Sequence, residues 1–366
     1  MLGVYIHIPF CERKCLYCAF SSFVNKKDEG ESYLSHLLKE INNFENKNNE
    51  EVDSIYIGGG TPSLLELEEL DRIFKKLHEK FKISFDCEIS IECNPNSLTK
   101  EMLLGYKSLG VNRLSIGVQS LNDEDLKFIA RLHNRAMAID AVKKAKECGF
   151  ENINCDLLIG LKNANTEDFL NQLKTLIDLG VTHISAYMLQ VEDGTPLQNL
   201  VKQNADLLPS DDECVEIYEK ATKYLQKYGF NKYEISNFAL KGYECKHNLK
   251  YWSGGNYIGF GLSAHSYIDG IRFANSNNFK DYYAQKLALK EKLTTKQLIE
   301  EHIMLGLRCC LGVDLDYLKS LNYNLEKNEN LIYFLEKNII YRENNRIFLN
   351  QDYYGINNYV IIKLMP

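Results

Sequence analysis

No apolar run in the chain approaches the roughly 20 residues needed to cross a bilayer. The start has no basic n-region, and its apolar stretch is broken by His7 and Pro9, which excludes a signal peptide. There is no excess of positive charge either: 43 Lys and Arg face 50 Asp and Glu, so no basic field is available to hold a nucleic acid. Internal repeats and low-complexity linkers are also missing, and tryptophan occurs once. What is present is 366 residues, 45% of them hydrophobic, enough for a barrel of about 250 residues and a smaller appended unit. The eleven cysteines are odd in number and scattered through strand-like and helix-like segments, so they form no secreted disulfide framework. A reducing, cytoplasmic setting is expected.

Short β-rich runs alternate with helix-period segments. The pattern predicts strands over Val4–Ile8, Asp53–Ile57, Cys87–Glu92, Arg113–Val118, Ile153–Ile159 and His183–Leu189. Helices are predicted near Ser32–Asn46, Leu65–Lys80, Lys100–Leu109, Arg135–Cys148 and Thr166–Leu179, with Gly110, Gly149 and Gly180 placed as C-caps. Such an alternation implies a parallel sheet, and its length suits an open six-unit partial TIM barrel better than a closed eight-stranded one. The fold class is therefore α/β, with a smaller C-terminal α+β unit. The expected divisions are a core barrel over 1–235, a connecting segment of Gly- and aromatic-rich turns over 236–278, and a helical, winged-helix-like unit over 279–366. In that last unit, helices are expected near Lys280–Ala288, Thr295–Leu307 and Asn328–Lys337, followed by a hairpin across Ile339–Leu349 turning at Asn344 and Asn345. In an acidic chain such a unit reads as a lid or interaction module.

Three cysteines stand close together as C-x3-C-x2-C: Cys11, Cys15 and Cys18. This spacing can put three thiolates on three irons of one [4Fe-4S] cube and leave the fourth iron open, whereas electron-transfer clusters normally take four cysteines. A zinc site or three buried thiols are the plainer readings. Zinc motifs usually bring two separated pairs, however, and no second C-x2-C follows. Other distinctive residues fall at predicted strand ends, where the loops of such a barrel converge on one mouth. Gly58-Gly59-Gly60-Thr61-Pro62 follows the second strand, Glu92 closes the third, Gln119 follows the fourth, Asp156 lies on the fifth, and Arg131 comes just beyond Gln119. Tyr5 on the first strand points to the same mouth if alternation holds. Each of these alone is as readily a turn, a helix cap or a surface ion pair.

The run Tyr5-Ile-His-Ile-Pro-Phe-Cys11-Glu-Arg-Lys-Cys15-Leu-Tyr-Cys18-Ala-Phe20 resembles the cluster loop of the radical S-adenosylmethionine (SAM) superfamily, in which the open iron chelates SAM. With Gly58 to Ser63, Ser90 to Pro95, Gly117 to Ser120, Arg131 to Asn134 and Asp156 to Leu161, the chain resembles one branch of it. That branch holds the oxygen-independent coproporphyrinogen III dehydrogenases and the HemW-type heme chaperones. Similarity continues through residue 267, with Lys162 a departure where relatives commonly carry proline. The resemblance implies a [4Fe-4S] cluster on Cys11, Cys15 and Cys18. It also implies SAM contacts from Tyr5, Gly59, Gly60, Thr61, Glu92, Gln119, Arg131 and Asp156.

Two features separate the branches. The dehydrogenases resemble C-x3-C-x2-C-x-C, but position 20 is Phe20. They also carry an extension ahead of the cluster loop that helps enclose the substrate, while ten residues precede Cys11 here, and a radical formed beside bulk water would be quenched. His247-Asn248-Leu249-Lys250-Tyr251-Trp252 matches the H-N-x-x-Y-W motif of the HemW type. An imidazole is a common axial ligand for heme iron, and Tyr251 and Trp252 can pack on a porphyrin face. The alternative is that His247 caps a helix while the two rings fill an interface. Cys245 and His265, the latter in Gly259-Phe-Gly261-Leu-Ser-Ala-His265-Ser-Tyr267, are lesser ligand candidates.

The reading implied is a heme chaperone that holds a [4Fe-4S] cluster and SAM, binds heme and passes it to acceptor hemoproteins. Neither nucleic acid nor a transmembrane segment is expected, and transient membrane association during delivery stays open. The rival is the dehydrogenase, which performs radical oxidative decarboxylation; whether the chain is an enzyme is left undecided.

Overall fold

The computed structural model describes residues 1–24 and 29–366. Six parallel strands form its frame: β1 (Leu2–Ile8), β2 (Val52–Gly59), β3 (Ile83–Cys93), β4 (Arg113–Gln119), β5 (Asn152–Ile159) and β6 (His183–Met188). Helices α1 (Gly30–Asn43), α2 (Leu67–Lys80), α3 (Lys100–Ser108), α4 (Arg135–Glu147), α5 (Thr166–Asp178) and α6 (Asp211–Lys227) follow them in turn. The strands are continuously apolar where helices cover one side and barrel residues the other, as in β4, of which only Gln119 is less than buried. Each helix turns an apolar stripe inward. On α2 it is Leu70, Ile73, Phe74 and Leu77, spaced to share one face.

Side-chain caps set where several helices begin. Thr99, Asn134 and Asn165 each accept a backbone N–H from the first turn of α3, α4 and α5. At the other ends Gly110, Gly149 and Gly180 take the left-handed conformation that stops a helix, with φ of 89°, 79° and 78°. Helix α6, not predicted from the sequence, starts in a capping box between Ser210 and Glu213.

The six strands belong to a larger open sheet. Beyond β1, Tyr257–Phe260 pairs in parallel, and His265–Ile268, Ile271–Asn275 and Leu287–Lys292 then add antiparallel. Beyond β6, Asn237–Ala239 and Asn231–Lys232 add antiparallel. The helix expected over 280–288 is a correction: the helix covers only Phe279–Tyr283, and the chain returns as the strand Leu287–Lys292. The break comes at Gln285, whose φ of 57° cannot continue a helix.

After Lys292 a second buried cluster gathers Ile299, Ile303, Leu318, Phe334, Ile347 and Val360. Helix Thr295–Gly306, strand Val313–Asp314, helices Leu315–Ser320 and Glu329–Glu336, and the hairpin Ile340–Glu343 with Arg346–Leu349 build a winged-helix-like unit. Val313 pairs with Ile347, so the short strand closes a three-stranded sheet with the hairpin. Among the described residues, no helix is long and apolar enough to cross a membrane.

Candidate functional site

The mouth of the barrel is built from the loops that leave β1 to β5. Cys11, Cys15 and Cys18 sit there half-buried, and all three are free thiols. Two side chains direct hydrogen at their sulfurs. Thr61 Oγ1 donates to Cys11 Sγ at 3.5 Å, and Arg131 Nη1 donates to Cys15 Sγ at 3.5 Å. Burial pushes the Cys18 thiol up, against the pull of a backbone hydrogen bond from Phe20 and the nearby Lys14. Lys14 ties the loop down by donating to the carbonyls of Phe20 and Ser22. Among the described residues no three His, Cys, Asp or Glu side chains converge as on a single metal ion. A cube that gives each cysteine its own iron makes no such demand, and three open thiols with N–H and O–H groups aimed at sulfur suit it.

Seven of the eight residues expected at SAM line the cavity beside these thiols: Gly59, Gly60, Thr61, Glu92, Gln119, Arg131 and Asp156. Tyr5 does not. It turns into a deeper, adjoining cavity of about 610 Å³ that runs down the barrel and shares Glu92, Gln119 and Asp156. Its hydroxyl meets His7 Nδ1 at 3.1 Å. His7 Nε2 is 2.9 Å from the Ser21 carbonyl and must donate there, so Nδ1 accepts from Tyr5.

The glycines are small because neighbours leave no room. At Gly59 (φ 114°) a Cβ would lie 2.6 Å from the His7 ring, and at Gly60 it would lie 2.6 Å from the Phe10 carbonyl oxygen. With that approach allowed, the Gly59 N–H reaches Glu92 Oε2 at 3.0 Å while the Tyr56 hydroxyl donates to Oε1 at 3.0 Å. Burial pushes the Glu92 carboxyl up to about 7, Asp156 adds to the rise, and the two hydrogen bonds oppose it. Asp156 is raised as well, chiefly by burial, although Ser185 and Asn154 hydrogen-bond to it. Two half-buried acids sharing a cavity form a strongly negative pocket once ionised, suited to a cation.

Arg131, expected at SAM, has most of its guanidinium committed within the protein. Its Nη2 donates to Asn94 Oδ1 and to the Gly117 carbonyl, both at 2.7 Å, and Nη1 is directed at Cys15. That leaves the second Nη1 hydrogen and Nε, which is buried and without a partner, to meet a ligand. Asn94 also donates to Thr61 Oγ1 at 3.1 Å and so links the two sulfur-facing residues. Asn94, His7, Tyr17 and Tyr56 were not singled out from the sequence as members of the site. Each nevertheless lies within three positions of a residue that was: Glu92, Tyr5, Cys18 and Gly59 respectively.

His247 sits on α7 (Lys246–Trp252), whose first N–H groups are capped by a carboxylate from β3. Glu88 accepts from the N–H of Lys246 at 3.0 Å and of His247 at 3.2 Å, and from Cys245 Sγ at 3.3 Å. The His247 ring is 1% exposed and both nitrogens are engaged, Nδ1 with Ser54 Oγ at 3.0 Å and Nε2 with the Tyr251 hydroxyl at 2.8 Å. Burial, with Lys250 and Arg113 nearby, lowers it to about 3, so the imidazole is neutral. It stacks on Tyr56 with centroids 5.4 Å apart. Both nitrogens are thus occupied by hydrogen bonds, and an iron would have to displace Ser54 or Tyr251 to reach one. Cys245 is fully buried, and His265 is exposed on the strand His265–Ile268. Tyr251 and Trp252, by contrast, are half-buried and line a separate cleft.

Residues 5–176 match the family model of the radical SAM superfamily. A heme chaperone HemW from Lactococcus lactis subsp. lactis (strain IL1403) is 33% identical over 370 residues, covering 99% of this chain and 97% of its own. Another from Bacillus subtilis (strain 168) is 38% identical over 322 residues, covering 86% and 85%. Among solved structures, that of HemN, the coproporphyrinogen III oxidase of Escherichia coli and a radical SAM enzyme, superposes with a TM-score of 0.83 at 23% identity. The match covers 100% of this chain and 90% of that one, a likeness of fold. The three-cysteine mouth, the acidic strand ends and the alignment along nearly the whole chain agree: the chain belongs to the HemW heme chaperone family of the radical SAM superfamily, whose hallmarks are a [4Fe-4S] cluster and SAM.

Proposed function

We propose that the protein is a heme chaperone that binds heme and passes it to acceptor hemoproteins, holding a [4Fe-4S] cluster and SAM at the barrel mouth. Kinship with HemW proteins along nearly the full chain carries this reading. In it Cys11, Cys15 and Cys18 hold the cluster. When bound, the cluster supplies an open iron that chelates SAM and an electron that can reach it. Gly59 and Gly60 let the backbone approach SAM, and Glu92 and Asp156 give its positive charge a counter-charge. Thr61 and Arg131 face the sulfurs, while Gln119 and Tyr5 border the ligand. His247 becomes a positioning residue that fixes the Tyr251 ring, and Tyr251 and Trp252 are the parts of the segment that touch heme. The site of action is proposed to be the cytoplasm.

Phe20 stands where the dehydrogenases have a further cysteine, and its ring is 69% exposed at the cluster loop. The test offers anaerobically reconstituted protein either heme or coproporphyrinogen III, each with SAM and reductant. Heme retention followed by transfer to an apo-hemoprotein, without protoporphyrinogen, is the expected result. Stoichiometric 5′-deoxyadenosine with protoporphyrinogen at a rate of about one per second or more, on the general scale of enzymes, would replace the chaperone reading by the dehydrogenase.

A further inference from the structure

A cleft of about 950 Å³ lies between the aromatic edge of the large sheet and the winged-helix-like unit. That volume is at the upper end of the roughly 300–1,000 Å³ of small-molecule and cofactor sites. Its barrel wall is a run of rings: Tyr251 packs edge-on to Tyr257 with centroids 4.5 Å apart, Tyr257 neighbours Tyr267 at 6.4 Å, and Trp252 flanks them. The facing wall presents Met304 and Phe348. All six are only half-buried, so the fold leaves apolar and aromatic surface from both walls without a packing partner.

The charges in the lining are already matched. Arg272 donates to both carboxylate oxygens of Glu301 at 2.8 and 2.9 Å, and Arg346 donates to Asp314 at 2.7 Å and to the Leu311 carbonyl at 2.8 Å. Phosphates would find no free cation there, which disfavours a nucleotide. A broad apolar ring whose carboxylates stay at the solvent edge needs none. Among the lining residues that can ligate iron, His302 already uses Nε2 to accept the Asp314 N–H at 2.8 Å, so its proton sits on Nδ1. The Met304 thioether needs no deprotonation and is a known type of heme ligand.

We propose that this cleft, and not the barrel cavity, is the heme site, with the rings of Trp252 and Tyr257 against the porphyrin and the Met304 sulfur as an axial ligand. The proposal rests on the heme-chaperone reading above and adds where the cargo lies. Among the described residues Tyr251 alone lines both this cleft and the deep barrel cavity that adjoins the mouth, so heme would lie apart from SAM, with a ring that His247 holds in place between the cleft and the barrel interior.

The test uses the full chain with its cluster reconstituted anaerobically, titrated with hemin before and after reduction and followed in the Soret region, for wild type, Trp252→Ala and Met304→Leu. Each variant should weaken heme retention by about tenfold or more, as loss of a central ring or ligand does, and Met304→Leu should also shift the bands of reduced heme. Cluster absorbance and the SAM response should stay as in wild type, which shows the barrel is folded. A second measurement needs no variant: saturating heme should leave SAM affinity unchanged within about twofold, since separate chambers carry no direct competition. Wild-type retention matched by both variants, or displacement of SAM by heme, would overturn the cleft while leaving the chaperone reading intact. Failure of wild type to retain heme at all would overturn that reading and the cleft with it.

Discussion

Glu92→Gln separates what the site costs the fold from what it does for the ligand. The wild-type carboxyl is half-buried in the cavity wall, and loss of solvent pushes it from 4.5 to about 7, so its ionised form is held against its preference. For an acid with a raised folded-state value, the unfolded chain releases the proton first as pH rises. Stability is therefore lost between about 4.5 and 7 and stays low above that window, and the rise corresponds to a loss on the order of 3 kcal/mol. Glutamine is close to isosteric: its oxygen can accept the Gly59 N–H, and its NH₂ can donate to the Tyr56 hydroxyl, which reverses its own bond. The variant should match wild type near pH 4.5 and melt several degrees higher at pH 8 without SAM.

With SAM the order should reverse. The ionised carboxylate attracts the cationic ligand, so wild-type affinity should climb about tenfold per pH unit up to roughly 7 and then level, while the variant binds weakly at every pH. At 100 times its dissociation constant a ligand adds about 2.7 kcal/mol to stability, so SAM should raise the wild-type midpoint and leave the variant nearly unmoved. Anaerobic melting curves of cluster-loaded protein from pH 5 to 8.5, with and without SAM, read both effects. A variant no more stable than wild type at pH 8, with the SAM response retained, would refute the burial argument and the assigned role together.

Replacing Cys11, Cys15 or Cys18 by Ala should abolish a cluster of about four irons, whereas Cys87→Ala, Cys148→Ala and Cys309→Ala, at buried positions away from the mouth, should keep it by iron content and electron paramagnetic resonance. Arg131→Lys removes the donor to Cys15 Sγ and the brace to Asn94, so the cluster's reduction potential should fall in a redox titration; an unchanged potential would deny the sulfur contact any influence. Gly59→Ala puts a methyl 2.6 Å from the His7 ring at a φ of 114° and should lower stability by about 3 kcal/mol. Gly194→Ala, also left-handed but with nothing within 4 Å, should cost about 1 kcal/mol. A similar loss at both positions by chemical unfolding would remove the close-approach account of Gly59.

The frame was readable because its signals are local. Continuous apolar runs such as Ile55-Tyr-Ile57 mark covered strands, and the glycines after α3, α4 and α5 mark helix ends within a residue or two. The failure over 280–288 has a local cause that leaves little trace: a non-glycine residue, Gln285, takes the left-handed turn, and the strand beyond it is largely exposed, so its alternation is shallow. At the mouth, the three cysteines announce themselves by spacing, whereas the strand-end acids stand out only through the strand pattern taken with the family resemblance. The contacts that tune them do not, because Arg131 and Cys15 are 116 positions apart and Asn94 and Thr61 are 33 apart.

His247 shows the same limit from the other side. The motif H-N-x-x-Y-W gives the residue types but not the direction in which α7 turns them, and that direction is set by Glu88, 159 positions away, which caps the helix and fixes its start. Once the helix is held there, His247 must face Ser54 and the barrel, while Tyr251, one turn later on the same face, bonds to it and reaches the boundary between the two cavities. Trp252 follows on the adjoining face and opens to the cleft. A single short helix thus carries a neutral histidine toward the SAM side and aromatic rings toward the proposed heme side. That arrangement explains how one motif can belong to a cargo site without supplying its imidazole to the iron.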